Sequence, residues 1–222
     1  MLYITPSLYS SWYWYTEATG DKEEQAKLDF ENALNKVKSE PTEAMQDGID
    51  YENKIRKLAE HLGGINPITD VPYEELLKQY DDVDIQIAEL LKNGIWQQNI
   101  IQKTLRLPLE LCLPGNAVAF KGVMDTLDIY NGIIYDLKKT KNFRRSQYDY
   151  SIQHLVYMYC SELYKFRYII RTPNQKDFLL TDDYFLSPDE VEIELREKLC
   201  LFFTSIMRNP EWKNALYLWW NI

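Results

Sequence analysis

Residues 122–138 read GVMDTLDIYNGIIYDLK, in which two alternating segments flank the dipeptide Asn131-Gly132. Asn-Gly in this setting is the strongest short pattern for a two-residue β-hairpin turn, because both residues tolerate the positive φ that the turn requires. The stretch therefore predicts two antiparallel strands that meet at this turn, with Tyr130 paired to Ile133. This hairpin is the element from which we infer the fold.

The predicted turn decides which side chains face each other. It places Asp125 opposite Lys138 and Leu127 opposite Asp136, so the three charged residues lie on one otherwise apolar face. Directly paired Cβ atoms are about 5 Å apart, and diagonal ones about 7–8 Å. Buried charge costs several kcal/mol unless it is paired or coordinated. Two interpretations stay open: a metal site, or a cross-strand salt bridge between Asp125 and Lys138 with Asp136 at a solvated strand end.

The rest of the chain predicts helices before the sheet and a mixture of helices and strands within it. The predicted helices are a short one opened by Pro6 and Ser7, followed by 21–38, 42–62, 72–93, 147–164 and 188–207, the last of them with a capping box in residues 187–190, Ser-Pro-Asp-Glu. The predicted strands are 100–113, 117–130, 133–139, 165–171 and 176–181. We expect an α/β (α+β mixed) fold in one domain, 1–222, with a mainly helical part, 1–95, and a sheet core, 96–222.

Three short patterns follow one another along the chain. They are Gly48 with Glu52 four positions later, Asp125 with Asp136-Leu137-Lys138 after ten intervening residues, and Gln153 with Tyr157 four positions later. In this order they resemble the motifs of the PD-(D/E)XK nuclease superfamily, in its RecB-like and phage-exonuclease branch. The resemblance implies a restriction-endonuclease-like αβββαβ core, with a central mixed sheet flanked by helices and the active site at the hairpin.

The resemblance also implies a metal-dependent active site. Glu52, Asp125, Asp136 and the main-chain carbonyl of Leu137 would bind one or two Mg²⁺ or Mn²⁺ ions, which prefer oxygen ligands. Lys138 would position or help to deprotonate the attacking water and stabilise charge in the transition state. Three other acids on the same predicted helix compete with Glu52: Glu43, Asp47 and Asp50. The offset of four from the glycine favours Glu52.

Residues that follow the hairpin are expected to contact DNA. The basic ones directly follow the proposed catalytic lysine: Lys139, Lys141, Arg144 and Arg145. A run of charge is usually a solvated loop, but one that begins at the active site is well placed to hold a DNA backbone. Gln153 and Tyr157 lie on one helical face and can reach a phosphate or base. Tyr157 fits the apolar stripe of that helix equally well.

The composition narrows the class of protein. The net charge of -9 argues against a protein that coats nucleic acid. Its distribution is uneven, with 9 Lys+Arg against 19 Asp+Glu in residues 1–100 and 16 against 15 in residues 101–222. The acidity therefore belongs to the helical part, and the sheet part can still carry a local basic strip.

The cysteines and the hydropathy exclude further classes. Cys112, Cys160 and Cys200 are far apart, so they form neither a disulfide framework nor the four-cysteine iron–sulfur cluster of some related nucleases. No stretch approaches the roughly 20 apolar residues of a membrane span, and the N-terminus lacks the pattern of a signal peptide. We expect a cytoplasmic protein, encoded by a bacterium or by a phage in its host, with no membrane partner.

These patterns predict a Mg²⁺-dependent deoxyribonuclease, an exonuclease rather than an endonuclease, in phage-type recombination or DNA repair. Expected partners are linear DNA, double-stranded or at its ends, a second copy of the chain, and a single-strand annealing protein or helicase. One rival is a catalytically inactive nuclease-fold module for nucleic-acid binding or assembly. Another is a structural α/β domain whose hairpin charges form an ion-pair network. Converging carboxylates of Asp125 and Asp136 would favour the nuclease, whereas splayed ones would favour the network.

Overall fold

Helices fill the first part of the chain and alternate with strands in the rest, in a computed structural model. It describes residues 2–38, 40–64, 73–100, 103–111, 113–173, 175 and 179–220. The helices are α1 Pro6–Glu17, α2 Glu23–Leu34, α3 Glu43–Leu62, α4 Tyr73–Leu77, α5 Asp82–Leu91, α6 Gln153–Ser161, α7 Pro188–Arg208 and α8 Pro210–Trp220. The strands are β1 Leu2–Ile4, β2 Ile95–Asn99, β3 Thr104–Arg106, β4 Ala117–Phe120, β5 Val123–Asp128, β6 Ile133–Lys139, β7 Lys165–Arg171 and β8 Leu180–Phe185.

The main sheet has five strands in the order β2-β5-β6-β7-β8. β6 and β7 run parallel, while the other neighbours are antiparallel, so the sheet is mixed. The crossover between the parallel strands contains α6, as parallel pairing requires a long connection. A second sheet has the order β1-β4-β3.

The alternation of side chains along β6 and β7 divides the apolar residues between two cores. Ile134 and Phe166 are fully buried in a cluster shared with α1, α2, α6, α7 and α8. Tyr135 and Leu137, at the alternate positions of β6, and Ile169 of β7 belong to a second cluster, which is shared with α3 and α5. Helices therefore cover both faces of the main sheet.

The element order confirms the predicted fold class. α3 precedes the sheet, β2, β5 and β6 form an antiparallel set, and α6 leads into β7 beside β6. This is an αβββαβ arrangement around a mixed sheet. The predicted capping box of the long C-terminal helix is also confirmed, because Ser187 and Glu190 satisfy each other's backbone N–H groups at its start.

The predicted hairpin exists, but the prediction that its turn has two residues is wrong. The observed pairs include Leu127 with Ile134 and Asp128 with Ile133, so four residues form the connection. Asp128 explains the longer turn, because its carboxylate accepts hydrogen bonds from the backbone N–H and the side-chain Nδ2 of Asn131, at 3.0 and 2.7 Å. Such Asx turns compete with tighter ones.

The longer turn changes which residues of β5 and β6 pair, but it keeps the three charged residues on one face of the sheet. Asp125 does not lie opposite Lys138, nor Leu127 opposite Asp136. Extended by one position, the observed register places Asp125 opposite Asp136. Because the register moved by two residues and side chains alternate with period two, Asp125, Asp136 and Lys138 still share one face.

Other predicted boundaries are wrong for local reasons. The predicted strand 117–130 divides at Lys121-Gly122, where the chain passes from one sheet to the other. The predicted strand 100–113 is replaced by β3 and a short 3₁₀ turn at Leu109–Leu111, and its residues 101, 102 and 112 lie outside the described residues.

Three further segments differ from their predictions. The predicted helix 72–93 is two helices, because the side chain of Asp81 accepts the N–H of Asp84 and begins α5. The predicted helix 147–164 shortens to α6, whose first N–H is bonded to the hydroxyl of Ser151. The predicted strand 176–181 begins later, as β8, and its residues 176–178 lie outside the described residues. The strands β1 and β2 and the helix α8 were not predicted.

Within the described residues, every helix is too short or too polar to cross a lipid bilayer.

Candidate functional site

Two aspartates from neighbouring strands converge at the centre of the site. The Oδ2 atom of Asp125 accepts a hydrogen bond from the backbone N–H of Leu137, at 3.2 Å. Burial raises the pKa of Asp125 well above its usual range, and the negative charge of Asp136 raises it further, while Lys138 opposes the rise. The carboxylates are thus convergent rather than splayed.

Asp136 is the most buried of the charged residues here, with 1% of its surface exposed. Gln153, the first residue of α6, donates from Nε2 to Oδ1 of Asp136 at 2.6 Å. Nζ of Lys138 lies 2.5 Å from Oδ2. Apart from this ion pair, the buried Oδ2 atom has no hydrogen-bond partner among the described residues. A buried atom of this kind has spare capacity for a ligand.

Lys138 is held as a cation by its neighbours. Burial lowers the pKa of its ammonium group, but the carboxylates of Asp136 and Asp125 outweigh burial and place the pKa above its ordinary value. Its side chain keeps 31% of its surface exposed, and Nζ lies 5.8 Å from the ring centroid of Tyr168. The positive charge therefore sits between a buried carboxylate and solvent.

Glu52 approaches this pair from α3. Its side chain is half-buried, and its charge is close enough to raise the pKa of Asp125. The competing acids are used elsewhere or exposed, since Asp47 pairs with Lys139 at 2.6 Å and Asp50 accepts from Gln46 at 2.8 Å. Of the acids predicted on this helix, Glu52 is the one that acts on Asp125.

The donor atoms fit a hard divalent cation. Within the described part of the chain, no group of three or more Asp, Glu, His or Cys side chains is placed to hold a metal ion. The convergent pair Asp125 and Asp136 nevertheless offers carboxylate oxygens, one of them buried and paired with Lys138 alone among the described residues. Mg²⁺ commonly uses one or two protein carboxylates and fills its other positions with water and substrate. The pair is therefore sufficient for such an ion.

Tyr157 packs where β5 begins. Its hydroxyl donates to the carbonyl of Val123 at 2.7 Å, and 5% of the residue is exposed. Gly122 makes this approach possible, because a Cβ there would lie 3.2 Å from Cε1 of Tyr157. We predicted no steric role for Gly122; a glycine directly before a strand is the pattern that indicates one. The predicted contact of Tyr157 with DNA stays a prediction.

The predicted basic DNA contacts have different surroundings. Lys139 is engaged with Asp47 and lies 5.4 Å from the ring centroid of Tyr51. The other three are exposed on the segment that connects β6 to α6: Lys141, Arg144 and Arg145. Their contact with DNA also stays a prediction.

A cleft of about 810 Å³ opens beside the site. Lys138, Gln153 and Tyr157 form one side of it, while Lys36 and Lys121 lie elsewhere on its lining. Among the described lining residues there is no Asp or Glu, although the chain as a whole carries a net charge of -9. The cleft is therefore suited to an anion.

A buried ionic network that we did not predict fixes the position of α3. Asp84 on α5 is 2% exposed and accepts from the hydroxyl of Tyr51 at 2.8 Å and from Nζ of Lys54 at 2.7 Å. Nε of Arg171, on β7, lies 3.6 Å from the same carboxylate. The two α3 residues flank Glu52, so the network ties the Glu52 segment to the sheet. An acid inside the apolar stripe of α5 is the pattern that indicates such a network.

His154 is a core residue packed against an aromatic ring. It is 1% exposed, and its ring lies 4.1 Å from that of Tyr184 in a stacked arrangement. Burial lowers its pKa from 6.5 to about 3, with a further contribution from the charge of Lys198. The folded protein therefore keeps this ring neutral where the unfolded chain would protonate it.

This depressed pKa predicts a loss of stability in mild acid. Between pH 6.5 and about 3 the unfolded chain binds one more proton at this position, so the free energy of unfolding falls as pH falls. Between pH 7 and pH 5, the free energy of unfolding of His154→Phe is expected to fall by about 2 kcal/mol less than that of wild type. Urea unfolding at the two pH values measures the difference, and equal losses would contradict the assignment.

Comparison with known proteins gives fold-level likeness alone. No family model matches the sequence, and no curated protein matches it. The crystal structure of SSO0001 is similar with a TM-score of 0.49 at 10% identity, covering 90% of this chain and 77% of that one. An alkaline exonuclease from Laribacter hongkongensis, LHK-Exo, is similar with a TM-score of 0.42 at 12% identity, covering 92% and 91%.

The LHK-Exo structure in complex with dAMP is similar with a TM-score of 0.43 at 13% identity, covering 92% of this chain and 90% of that one. At these levels of similarity, the assignment of site residues rests on the geometry of this chain.

Proposed function

We propose that this protein is a metal-dependent DNA exonuclease that hydrolyses phosphodiester bonds at the Asp125–Asp136 pair. The observation that carries the proposal is the buried Oδ2 atom of Asp136, which is paired with Lys138 and has no other partner among the described residues, beside a second, convergent carboxylate. The motifs that resemble the RecB-like and phage-exonuclease branch lie at the same residues. Recombination or repair of DNA is the corresponding process.

Each residue has a distinct part in the proposal. Asp125, Asp136 and the carbonyl of Leu137 would hold one or two Mg²⁺ or Mn²⁺ ions, with Glu52 completing the set from α3. When bound, the metal polarises a phosphoryl oxygen and lowers the pKa of water. Lys138 places its ammonium group beside the scissile phosphate, where it orients the attacking water and stabilises negative charge that develops in the transition state.

Gln153 is a positioning residue in this proposal. Its amide hydrogen bond to Oδ1 of Asp136 orients the carboxylate, so that Oδ2 is left for the metal. The exposed Lys141, Arg144 and Arg145 would hold the DNA backbone that leads to the site.

A timed digest tests the function directly. Linear DNA labelled at one end and covalently closed circular DNA are incubated with Mg²⁺, and a parallel sample contains EDTA. We expect loss of the linear DNA with release of mononucleotides or short products, and no loss of the circle or of either DNA in EDTA. No degradation with either Mg²⁺ or Mn²⁺ would instead favour the inactive nucleic-acid-binding module.

Lys138→Ala is expected to lower the rate of this digest by about 100-fold, the effect of removing one preorganised charge or donor from a transition state. Lys165→Ala is the matched control. Lys165 is exposed at the start of β7, whereas Lys138 pairs with Ile170 near the other end of that strand. An unchanged rate in Lys138→Ala would remove this residue from the proposed mechanism.

A further inference from the structure

The cleft beside the active site is lined by one sign of charge. Lys36, Lys121 and Lys138 lie on it without an acidic residue among the described lining. Charges of one sign within a cleft focus its potential and concentrate ligands of the opposite sign. Because Lys138 also contacts Asp136, a phosphate chain in this cleft leads directly to the carboxylate pair.

One wall of the cleft is the N-terminal part of α1. Ser7 and Ser10 line the cleft, and Trp14 follows on the same helical stripe, at spacings of three and four residues. Trp14 leaves 54% of its surface exposed, which is unusual for the largest aromatic side chain. The stripe therefore runs from small hydroxyl residues at the cleft to an exposed indole ring at its end.

The indole ring is held in place by a second segment of the active site. Tyr150 lies on the connection between β6 and α6, with its ring centroid 4.9 Å from that of Trp14. Tyr13 stacks on Tyr150, with the two ring centroids 4.8 Å apart and an interplanar angle of 12°. The pKa of Tyr150 is raised by burial, and the charge of Lys138 opposes that rise, so the cluster lies within electrostatic range of the proposed catalytic lysine.

We propose that Trp14, fixed by Tyr150 and Tyr13, is a stacking platform for an unpaired nucleobase of a DNA strand whose phosphates follow the lysines of the cleft. This inference rests on the proposed function and specifies its substrate, a strand that is single-stranded where it enters the site. Aromatic side chains beside a positive groove are the usual means of holding single strands, because every base offers a π face.

The arrangement favours a base over other ligands. The lysines account for the phosphates and the exposed ring accounts for the base. Contacts with Tyr150 and Tyr13 restrict the ring before it binds, which lowers the entropic cost of stacking. Trp14 is also exposed enough that its replacement leaves the buried core intact.

Binding can be measured without cleavage by fluorescence anisotropy in EDTA. One probe is a labelled oligothymidylate of about 12 nucleotides, and the other is the same chain with every base removed, which keeps the phosphates. We expect Trp14→Ala to weaken binding of the first probe by about tenfold and to leave the second unchanged. Trp14→Phe keeps a ring and should recover part of the affinity. Tyr130→Ala, at the far hairpin turn and 92% exposed, is the control and should bind both probes as wild type does.

The results separate this inference from the nuclease proposal. Equal affinity of Trp14→Ala and wild type for oligothymidylate would overturn the platform, and so would an equal loss on both probes. A base-dependent loss would support the platform even where the wild-type protein degrades no DNA. In that case the nuclease proposal fails and the stacking surface stands.

Discussion

Replacing Asp136 by Asn is expected to reduce Mg²⁺-dependent degradation of linear DNA by at least about a thousandfold. Each tenfold corresponds to about 1.4 kcal/mol of transition-state stabilisation, and a carboxylate that holds the metal supports several kcal/mol. Asn keeps the shape and the Oδ1 acceptor for Gln153, but it lacks the negative charge that binds the cation and pairs with Lys138.

This substitution should leave the fold intact. Removing a carboxylate that is 1% exposed also removes its desolvation cost and its repulsion of Asp125. Lys138 is 31% exposed and keeps the charge of Asp125 nearby, so it is not left as an unpaired buried charge, and we expect thermal unfolding close to that of wild type. Circular dichroism checks that point, and calorimetry with Mn²⁺ checks that metal binding is lost. Asp189→Asn, at the exposed start of α7, is the same chemical change away from the site and should keep full activity. Undiminished digestion by Asp136→Asn would refute the metal assignment.

Asp84→Ala is expected to give the largest loss of stability, about 3 kcal/mol. Removing one partner of a buried ion pair leaves the others unpaired, at a cost of about 3–5 kcal/mol. The lower end applies because Lys54 is 40% exposed and regains water, and because Arg171, whose side chain is 11% exposed, keeps its ion pair with Asp81. The hydroxyl of Tyr51 also loses its acceptor.

Urea unfolding of three variants tests this network. Asp84→Asn keeps a hydrogen-bond acceptor for Tyr51, so it should lose less stability than Asp84→Ala. Asp82→Ala changes an exposed acid on the same helix and should cost less than about 1 kcal/mol, the size of a helix-dipole interaction. If Asp84→Ala were no less stable than Asp82→Ala, the network would not be what holds α3 on the sheet.

Loss of this network should also reach the active site. α3 carries Glu52 between the two residues that bind Asp84, so a loosened α3 moves the third acid away from Asp125. We therefore expect a higher Mg²⁺ concentration for half-maximal activity in Asp84→Ala. No local pattern predicts this dependence, because the partners of Asp84 on α3 are 30 and 33 positions away in the chain.

Local chemistry explains which parts of the fold were predictable. The strand β6 and the capping box at Ser187 follow from neighbouring residues, and both were predicted correctly. The hairpin turn was predicted wrongly, since the Asp128 carboxylate accepts two hydrogen bonds from Asn131, and these outweigh the preference of Asn-Gly for a shorter turn. The division of 117–130 between two sheets depends on strand partners that no local pattern specifies.

Local alternation was enough to place Asp125, Asp136 and Lys138 on one face, because side chains alternate with period two and the observed register differs from the predicted one by an even number of residues. The surroundings of these three residues depend on tertiary packing. The hydrogen bond from Gln153 and the approach of Glu52 depend on how helices pack against the sheet. Such contacts join residues far apart in the chain, and packing of the whole core selects them rather than any local preference.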